Sequence, residues 1–177
     1  MVVAIRVIVY DTALGALNRV YDLPTAQHRG FAISDMQNDK LVGTWKLLSA
    51  SSQTSSGERD ENPYGPNPSG LLTYTADGRV TALISYGGRK LLQARAAVEE
   101  QAEAFKTFLA YAGRYSIHGD QITHRLEVSS VQNYVNQDLV RTIRFADDRI
   151  ILLTPPTLVN GKVQTVELIW QRLPADS

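Results

Sequence analysis

The alternation of hydrophobic and polar residues from Lys40 onward predicts a β-protein. Successive side chains of a strand point to opposite faces, so a period of two marks a strand with one buried face. Eight segments alternate in this way or are rich in β-branched and aromatic residues. They are Leu41–Ala50, Gly70–Thr75, Arg79–Tyr86, Tyr111–Ile117, Gln121–Ser129, Gln137–Phe145, Arg149–Thr154 and Val163–Arg172.

Short turns connect several of these segments. ADG at 76–78, HGD at 118–120, ADD at 146–148 and NG at 160–161 have the glycine, asparagine and aspartate content of tight turns. Links of this length join antiparallel neighbours, so we expect a meander of hairpins.

Two connections are longer. A polar, proline-rich segment follows the first strand, and residues 94–110 separate the third strand from the fourth. The second connection predicts a helix, with glutamates near its start and Lys106 near its end, as the helix dipole favours. Its apolar residues recur at helical spacing: Val98, Ala102, Phe105 and Leu109.

The first 35 residues differ from this pattern. VVAIRVIVY at 2–10 predicts one short strand and DLPTAQHRG at 22–30 is turn-like, with no periodicity that links them. The regular pattern begins just after Met36. We therefore expect residues 1–35 to be an N-terminal extension, loosely packed or disordered, and residues 36–177 to form one domain.

Antiparallel strands in sequence order either leave two exposed sheet edges or close on themselves, and closure removes the edges. The predicted fold class is therefore all-β: an eight-stranded antiparallel up-and-down barrel with one helix between strands 3 and 4. A barrel of this size is just wide enough to be filled by side chains or to hold one small ligand.

The first and last predicted strands carry two residues that suit a barrel end. Trp45, in GTW, is a large apolar plug, and Arg172, in WQR, can cover an indole face while it donates to nearby carbonyls. The pair resembles the lipocalin and calycin signature, in which a tryptophan closes one end and an arginine of the final strand stacks across its ring. We expect Trp45 to be buried against Arg172, a contact that requires the barrel to close.

Longer stretches are similar to one family. YAGRYSIHGDQITHRLEVS, DLVRTIRFADDRIILLTPP and LIWQRL resemble the bacterial and fungal lipocalin-like domain family, small calycin-type barrels with mostly unassigned functions. The resemblance runs from Lys40 to Leu173. The chain differs from secreted lipocalins in having no cysteine, a helix between the third and fourth strands and no helix after the last, so the resemblance does not imply extracellular ligand transport.

Strand parity places a few polar side chains on the inner face of the predicted barrel. His124 and Arg141 each share a face with the aliphatic residues of their strand, and tyrosines form a further inward row. The expected lumen is mostly aliphatic and aromatic with a few polar points. The candidate ligand-binding residues are His124, Arg141, Tyr111, Tyr115 and Tyr74.

Each candidate also has a purely structural interpretation. A single histidine in an apolar strand is more often a hydrogen-bonded core residue than a catalyst. Burying a charge is costly unless it is paired, and Arg141 points outward if a bulge shifts the register. Tyrosines inside a barrel usually serve packing, with the hydroxyl satisfied.

Two functions fit an apolar lumen. The first is binding of a small hydrophobic or aromatic molecule, with His124 and Arg141 orienting its polar end. The alternative is a cofactor-independent cyclase or isomerase acting on a polyketide-like or other specialised metabolite, in which His124 transfers a proton and Arg141 stabilises an enolate. A filled, purely structural barrel is a third possibility.

Composition narrows the remaining classes. The 18 basic and 18 acidic residues cancel, so no net field favours a nucleic acid or an anionic membrane. The absence of cysteine excludes disulfides, thiolate catalysis and cysteine-ligated zinc. The three histidines are scattered, and neither a phosphate loop nor a nucleophile paired with a base is visible. We therefore expect no metal and no cofactor.

The apolar N-terminus is interrupted by Arg6, and no apolar run reaches the length of a membrane span. We therefore expect a cytoplasmic protein whose partner is a small hydrophobic molecule, with neither nucleic acid nor membrane as a partner. The sequence leaves the oligomeric state open.

Overall fold

The computed structural model describes residues 5–11, 16–23, 37–159 and 161–174. The chain divides into two compact units, Met1–Lys40 and Leu41–Ser177. In the first unit, β1 (Ile5–Asp11) and β2 (Ala16–Leu23) form an antiparallel pair, where the sequence predicted a single short strand. The predicted loose packing or disorder of residues 1–35 concerns a region that lies largely outside the described residues, and it stays a prediction.

The described residues of the second unit are mostly in strands. The helix, α1 (Val98–Lys106), lies between β6 and β7, and a 3-10 turn, Gln132–Tyr134, precedes β9. The strands are β3 (Gly43–Thr54), β4 (Arg59–Asp60), β5 (Ser69–Tyr74), β6 (Arg79–Ser85), β7 (Phe108–His118), β8 (Gln121–Ser129), β9 (Asp138–Ala146), β10 (Arg149–Leu153), β11 (Thr157–Val159) and β12 (Lys162–Arg172).

Eight of these strands form a closed antiparallel barrel. Their order is β3, β5, β6, β7, β8, β9, β10 and β12, and β12 pairs back onto β3. The short strands β4 and β11 lie beside β3 and β12, respectively. The predicted all-β, eight-stranded antiparallel barrel is confirmed.

The helix differs from its prediction in two respects. It was expected between the third and fourth strands, but in the strand order of the chain it follows β6, because β1, β2 and β4 also precede it. Its apolar face is also unpacked: Val98 is 74% exposed and Phe105 is 61% exposed. Periodicity indicates a helix but does not supply a partner for its apolar face. Within the described residues, no helix has the length and apolarity needed to cross a membrane.

A bulge interrupts the alternation of β3. The register between β3 and β12 shifts by one residue at Leu48. Leu48 and Ser49 are both exposed, whereas Leu47 and Ala50 on either side are buried. The extra residue restores the inward parity of the second half of the strand. The strand therefore continues past its predicted end at Ala50 as far as Thr54.

The core fills the barrel from the end where β3 begins and β12 ends, which we call the closed end. The side chains that are almost completely shielded from solvent there and in the middle of the barrel are mostly apolar and aromatic. They are Leu41, Trp45, Leu72, Tyr74, Val80, Ile122, His124, Leu126, Ile150 and Trp170.

Trp45 plugs the closed end, and its predicted contact with Arg172 is confirmed. Trp45 is 1% exposed, and its indole N–H donates to the carbonyl of Leu41 at 2.9 Å. The guanidinium carbon of Arg172 lies 4.2 Å from the Trp45 ring centroid, and Nη1 donates to the carbonyl of Val42 at 2.7 Å. Gly43 has φ 140°, and a Cβ there would lie 2.5 Å from Arg172 Nη1, so the arginine requires a glycine at this position.

Replacing Trp45 with alanine should lower the free energy of unfolding by about 3 to 5 kcal/mol, because it leaves a cavity where a large aromatic side chain was buried. Urea denaturation measures the change. Leu48→Ala, on the exposed bulge of the same strand, is the matched control and should change stability by no more than about 0.5 kcal/mol. Equal losses in the two variants would contradict the role of Trp45 as a plug.

Candidate functional site

His124, Tyr74 and Tyr111 form one hydrogen-bonded group inside the barrel, which we call the histidine cluster. The Tyr74 hydroxyl lies 2.8 Å from His124 Nε2, and the Tyr111 hydroxyl lies 3.0 Å from Nδ1. A neutral imidazole donates from one nitrogen and accepts at the other, so each tyrosine satisfies one side of the ring. All three residues are buried, and the cluster has the geometry of a satisfied polar core.

Strand pairing brings the histidine cluster together. His124 lies on β8, where Ile122, His124 and Leu126 are buried as parity predicts, whereas Val128, beyond the register shift, is exposed. Tyr111 lies on β7, and the β7–β8 register shifts between Ala112 and Gly113. Tyr74 ends β5, on the other side of β6 from β7. The two tyrosines therefore approach the imidazole from different strands.

Burial favours the uncharged forms of the imidazole and of both phenols in the histidine cluster. It lowers the pKa of His124 to about 3, and the charge of Arg141 acts in the same direction. Burial raises the pKa of both Tyr74 and Tyr111, against the opposing effect of Arg141. General acid–base catalysis works best with a pKa near the operating pH. The arrangement therefore favours the structural interpretation of His124 over proton transfer.

Arg141 lies on the inner face of β9. Its neighbours Val140 and Arg144 are exposed, whereas Arg141 is half-buried and Ile143 is buried. The pairing of β9 with β8 has no register shift, so the alternative of an outward Arg141 does not apply. Its Nη1 donates to the carbonyl of Val140 at 2.8 Å. The ion pairs found among the described residues do not include Arg141.

Tyr115, the remaining candidate, is held at the closed end. Its hydroxyl donates to the carbonyl of Thr75 at 3.1 Å, and its ring meets Tyr74 edge-on, with the centroids 4.9 Å apart. Thr75 directly follows β5 at the level of Gly43. Tyr115 is thus part of the packed wall, set apart from the opposite end of the barrel.

Two tyrosines that the sequence did not single out lie at the opposite end, which we call the open end. Tyr86 directly follows β6, and Tyr64 belongs to the connection before β5; their ring centroids are 4.8 Å apart. Gly87 N–H donates to the Tyr64 carbonyl at 2.8 Å. A Cβ on Gly87 would lie 1.6 Å from the carbonyl oxygen of Pro66, so glycine allows the two segments to cross and fixes Tyr64 there.

Tyr64 and Tyr86 form a ring pair at the open end, and the charge of Arg141 acts on Tyr64; we call these three residues the open-end cluster. Burial raises the pKa of Tyr64 to about 12; the neighbouring Tyr86 adds to the rise, and Arg141 opposes it. Burial also raises the pKa of Tyr86. All three side chains are partly exposed. The cluster therefore combines aromatic surface, phenolic hydroxyls and one cation.

Two further observations bear on the site. A groove of about 490 Å³ lies on the outside, between residues 87–92 and α1, with Leu91, Arg89 and Glu103 among its lining. Across the part of the chain that the structure describes, no group of three histidine or acidic side chains is arranged to hold a metal ion.

Comparison with known proteins gives three results. The model of the lipocalin-like domain family matches residues 42–173, a range that runs from the start of β3 to the end of β12. The 4'-hydroxy-3'-methoxypropiophenone carrier protein of Aspergillus oryzae is 29% identical over 85 residues, which cover 43% of this chain and 77% of that protein. The crystal structure of a lipocalin-like protein from Bacteroides uniformis is 15% identical, covering 76% of this chain and 99% of that chain, with a TM-score of 0.40.

Acid should destabilise the fold through His124. The unfolded chain binds a proton at this residue below its ordinary pKa of 6.5, whereas the folded protein does so only near 3. Between these values the residue should lower the free energy of unfolding by up to about 1.4 kcal/mol for each unit of falling pH.

Urea denaturation between pH 7 and pH 4 measures this dependence. His124→Gln keeps one donor and one acceptor for the two tyrosines but does not titrate, so its stability should fall less steeply than that of the wild type. Identical pH dependence in the two proteins would contradict a neutral, buried His124.

Proposed function

Because the chain belongs to the lipocalin-like domain family, we propose that it binds one small hydrophobic or aromatic molecule in the open half of its barrel. The observation that carries this proposal is the difference between the two ends. The closed end is packed around Trp45, and the polar groups of Trp45 and Arg172 donate to backbone carbonyls there. The open end has partly exposed Tyr64 and Tyr86, with the charged Arg141 on the same inner wall. In a purely structural core, a cation without a carboxylate partner would not contribute to stability, because its desolvation is not repaid.

The inner wall suits such a ligand. Small-molecule sites are mostly apolar, with a few polar groups that fix orientation. Here Tyr64 and Tyr86 supply aromatic surface and Arg141 the polar point. The partly buried apolar residues that pack against the core are Tyr64, Tyr86, Leu109, Tyr115, Leu139, Phe145 and Val166.

The Aspergillus oryzae relative supports a carrier role for an aromatic molecule. Its name specifies 4'-hydroxy-3'-methoxypropiophenone, an aromatic ketone that also bears a phenol. A ligand of this class has a flat ring to pack against tyrosines and oxygen atoms to accept hydrogen bonds from a guanidinium. Tyr74, Tyr111 and His124 would form the floor beneath it, and Tyr115 would stay in the wall.

The alternative of a cofactor-independent cyclase or isomerase is not favoured. It required His124 to transfer a proton near neutral pH, whereas both ring nitrogens are already hydrogen-bonded and burial lowers the pKa to about 3. The cytoplasmic location and the expectation of no nucleic-acid or membrane partner stay predictions from the sequence.

Filling the open half with a larger side chain should weaken binding of an apolar probe. Val166 lies on the inner face of β12, six residues from Arg172, so it faces the half of the barrel away from the closed end. We expect Val166→Phe to weaken binding of the neutral fluorescent probe phenylnaphthylamine by about tenfold or more, because the added ring occupies the lumen. Fluorescence titration measures the dissociation constant.

Val163→Phe is the matched control. It adds the same volume on the opposite face of β12, where Val163 is 41% exposed. Its affinity should stay within about twofold of the wild type, with the fold of both variants checked by circular dichroism. Native mass spectrometry of the wild type should also reveal a co-purifying small molecule. A wild type that binds neither probe nor metabolite, or equal effects of the two substitutions, would overturn the proposal.

A further inference from the structure

Three arginines on the outer face of β6, β7 and β8 have carboxylate partners. Arg79 and Arg114 both contact Glu127, at 2.6 and 3.2 Å, and Arg125 lies 3.3 Å from Asp138. These pairs are solvent-exposed. Each of the three guanidinium groups therefore has a carboxylate beside it.

The arginine of the inner wall has no such partner among the described residues. The buried residues that the structure describes include no aspartate or glutamate; their only polar members are Ser52 and His124. Within the same part of the chain, the guanidinium of Arg141 has one hydrogen bond, to the carbonyl of Val140, although an arginine has five N–H donors. The described residues therefore supply no counter-ion to the charge of Arg141.

The groups around Arg141 are also uncharged at neutral pH. His124 is neutral because burial lowers its pKa, and Tyr64, Tyr74 and Tyr111 keep their protons because burial raises theirs. Arg141 is therefore the source of a net positive charge on this part of the wall.

A second donor inside the barrel lacks an acceptor. The indole N–H of Trp170 is buried, and the described residues place no hydrogen-bond partner against it. Leaving a buried donor unpaired is destabilising.

We propose that the molecule bound in the barrel carries an anionic oxygen group, a carboxylate or an ionised phenol, and that Arg141 pairs with this group. This inference rests on the proposed function and adds the chemical class of the ligand. An anion supplies the counter-charge that Arg141 lacks among the described residues, and a guanidinium binds a carboxylate through two parallel hydrogen bonds. The aromatic or aliphatic remainder of the ligand would pack against Tyr64 and Tyr86.

Two probes with the same aromatic rings separate this inference from binding in general. Anilinonaphthalene sulfonate carries one negative charge, and phenylnaphthylamine is its neutral counterpart. In Arg141→Met, which keeps an unbranched apolar stem and removes the charge, affinity for the anionic probe should fall about tenfold or more. Affinity for the neutral probe should change less than about twofold, because its packing is retained.

Arg144→Met is the matched control, since Arg144 lies on the exposed face of the same strand; it should change neither affinity. Arg141→Lys should lose less affinity for the anionic probe than Arg141→Met, because it retains the charge without the planar fork. Displacement of the neutral probe by cinnamate should be stronger than displacement by cinnamyl alcohol, and the preference should vanish in Arg141→Met.

The outcomes distinguish the two proposals. If the wild type binds neither probe, the proposed function fails and the inference fails with it. If the neutral probe binds but the anionic probe does not, or if Arg141→Met weakens both probes equally, the barrel is a binding protein and the anionic ligand is wrong.

Discussion

The pairing of β12 with β3 is the constraint on which the structure depends, and Arg172 over Trp45 marks the place where the two strands meet. An open sheet of eight strands would leave two edges for other chains to pair with. Closure removes these edges and separates an inner from an outer face on every strand. The inward position of Arg141 therefore has meaning only because the barrel closes.

Closure also makes the two ends of the barrel unequal. At the closed end, carbonyls of Leu41 and Val42 accept hydrogen bonds from Trp45 and Arg172. Next to it, the histidine cluster fills the middle of the barrel with three polar side chains that satisfy one another. A fully satisfied buried network is rigid and specifies one arrangement. The ligand site that we propose therefore lies beyond this floor, towards the open-end cluster.

Much of the fold could be predicted because strand parity is a local property of the sequence. The predicted strand Gln121–Ser129 agrees with β8 at both ends, and parity alone placed His124 and Arg141 on the inner face. The bulge at Leu48 was not predicted. The residues on either side of it stay buried, although the alternation of buried and exposed residues along β3 is interrupted there. The exposed face of α1 escaped because amphipathic spacing does not specify a packing partner.

The site was predicted less well than the fold. Tyr64 lies in an irregular segment rich in proline and glycine, where periodicity gives no signal, and its position follows from the crossing of two chain segments at Gly87. The role of His124 depends on tyrosines 50 and 13 residues away in sequence, Tyr74 and Tyr111. A tyrosine flanked by Pro63 and Gly65 within a polar connection was the one available sign of an aromatic contact at the open end.

A crystal structure of the protein with bound anilinonaphthalene sulfonate tests the central claim most directly, since it shows where the probe binds and which group contacts its anion. The account predicts the probe inside the open half of the barrel, with its sulfonate within hydrogen-bonding distance of the Arg141 guanidinium and its rings against Tyr64 and Tyr86. Density for the probe only on the outer surface, such as the groove between residues 87–92 and α1, with side chains filling the interior, would contradict it.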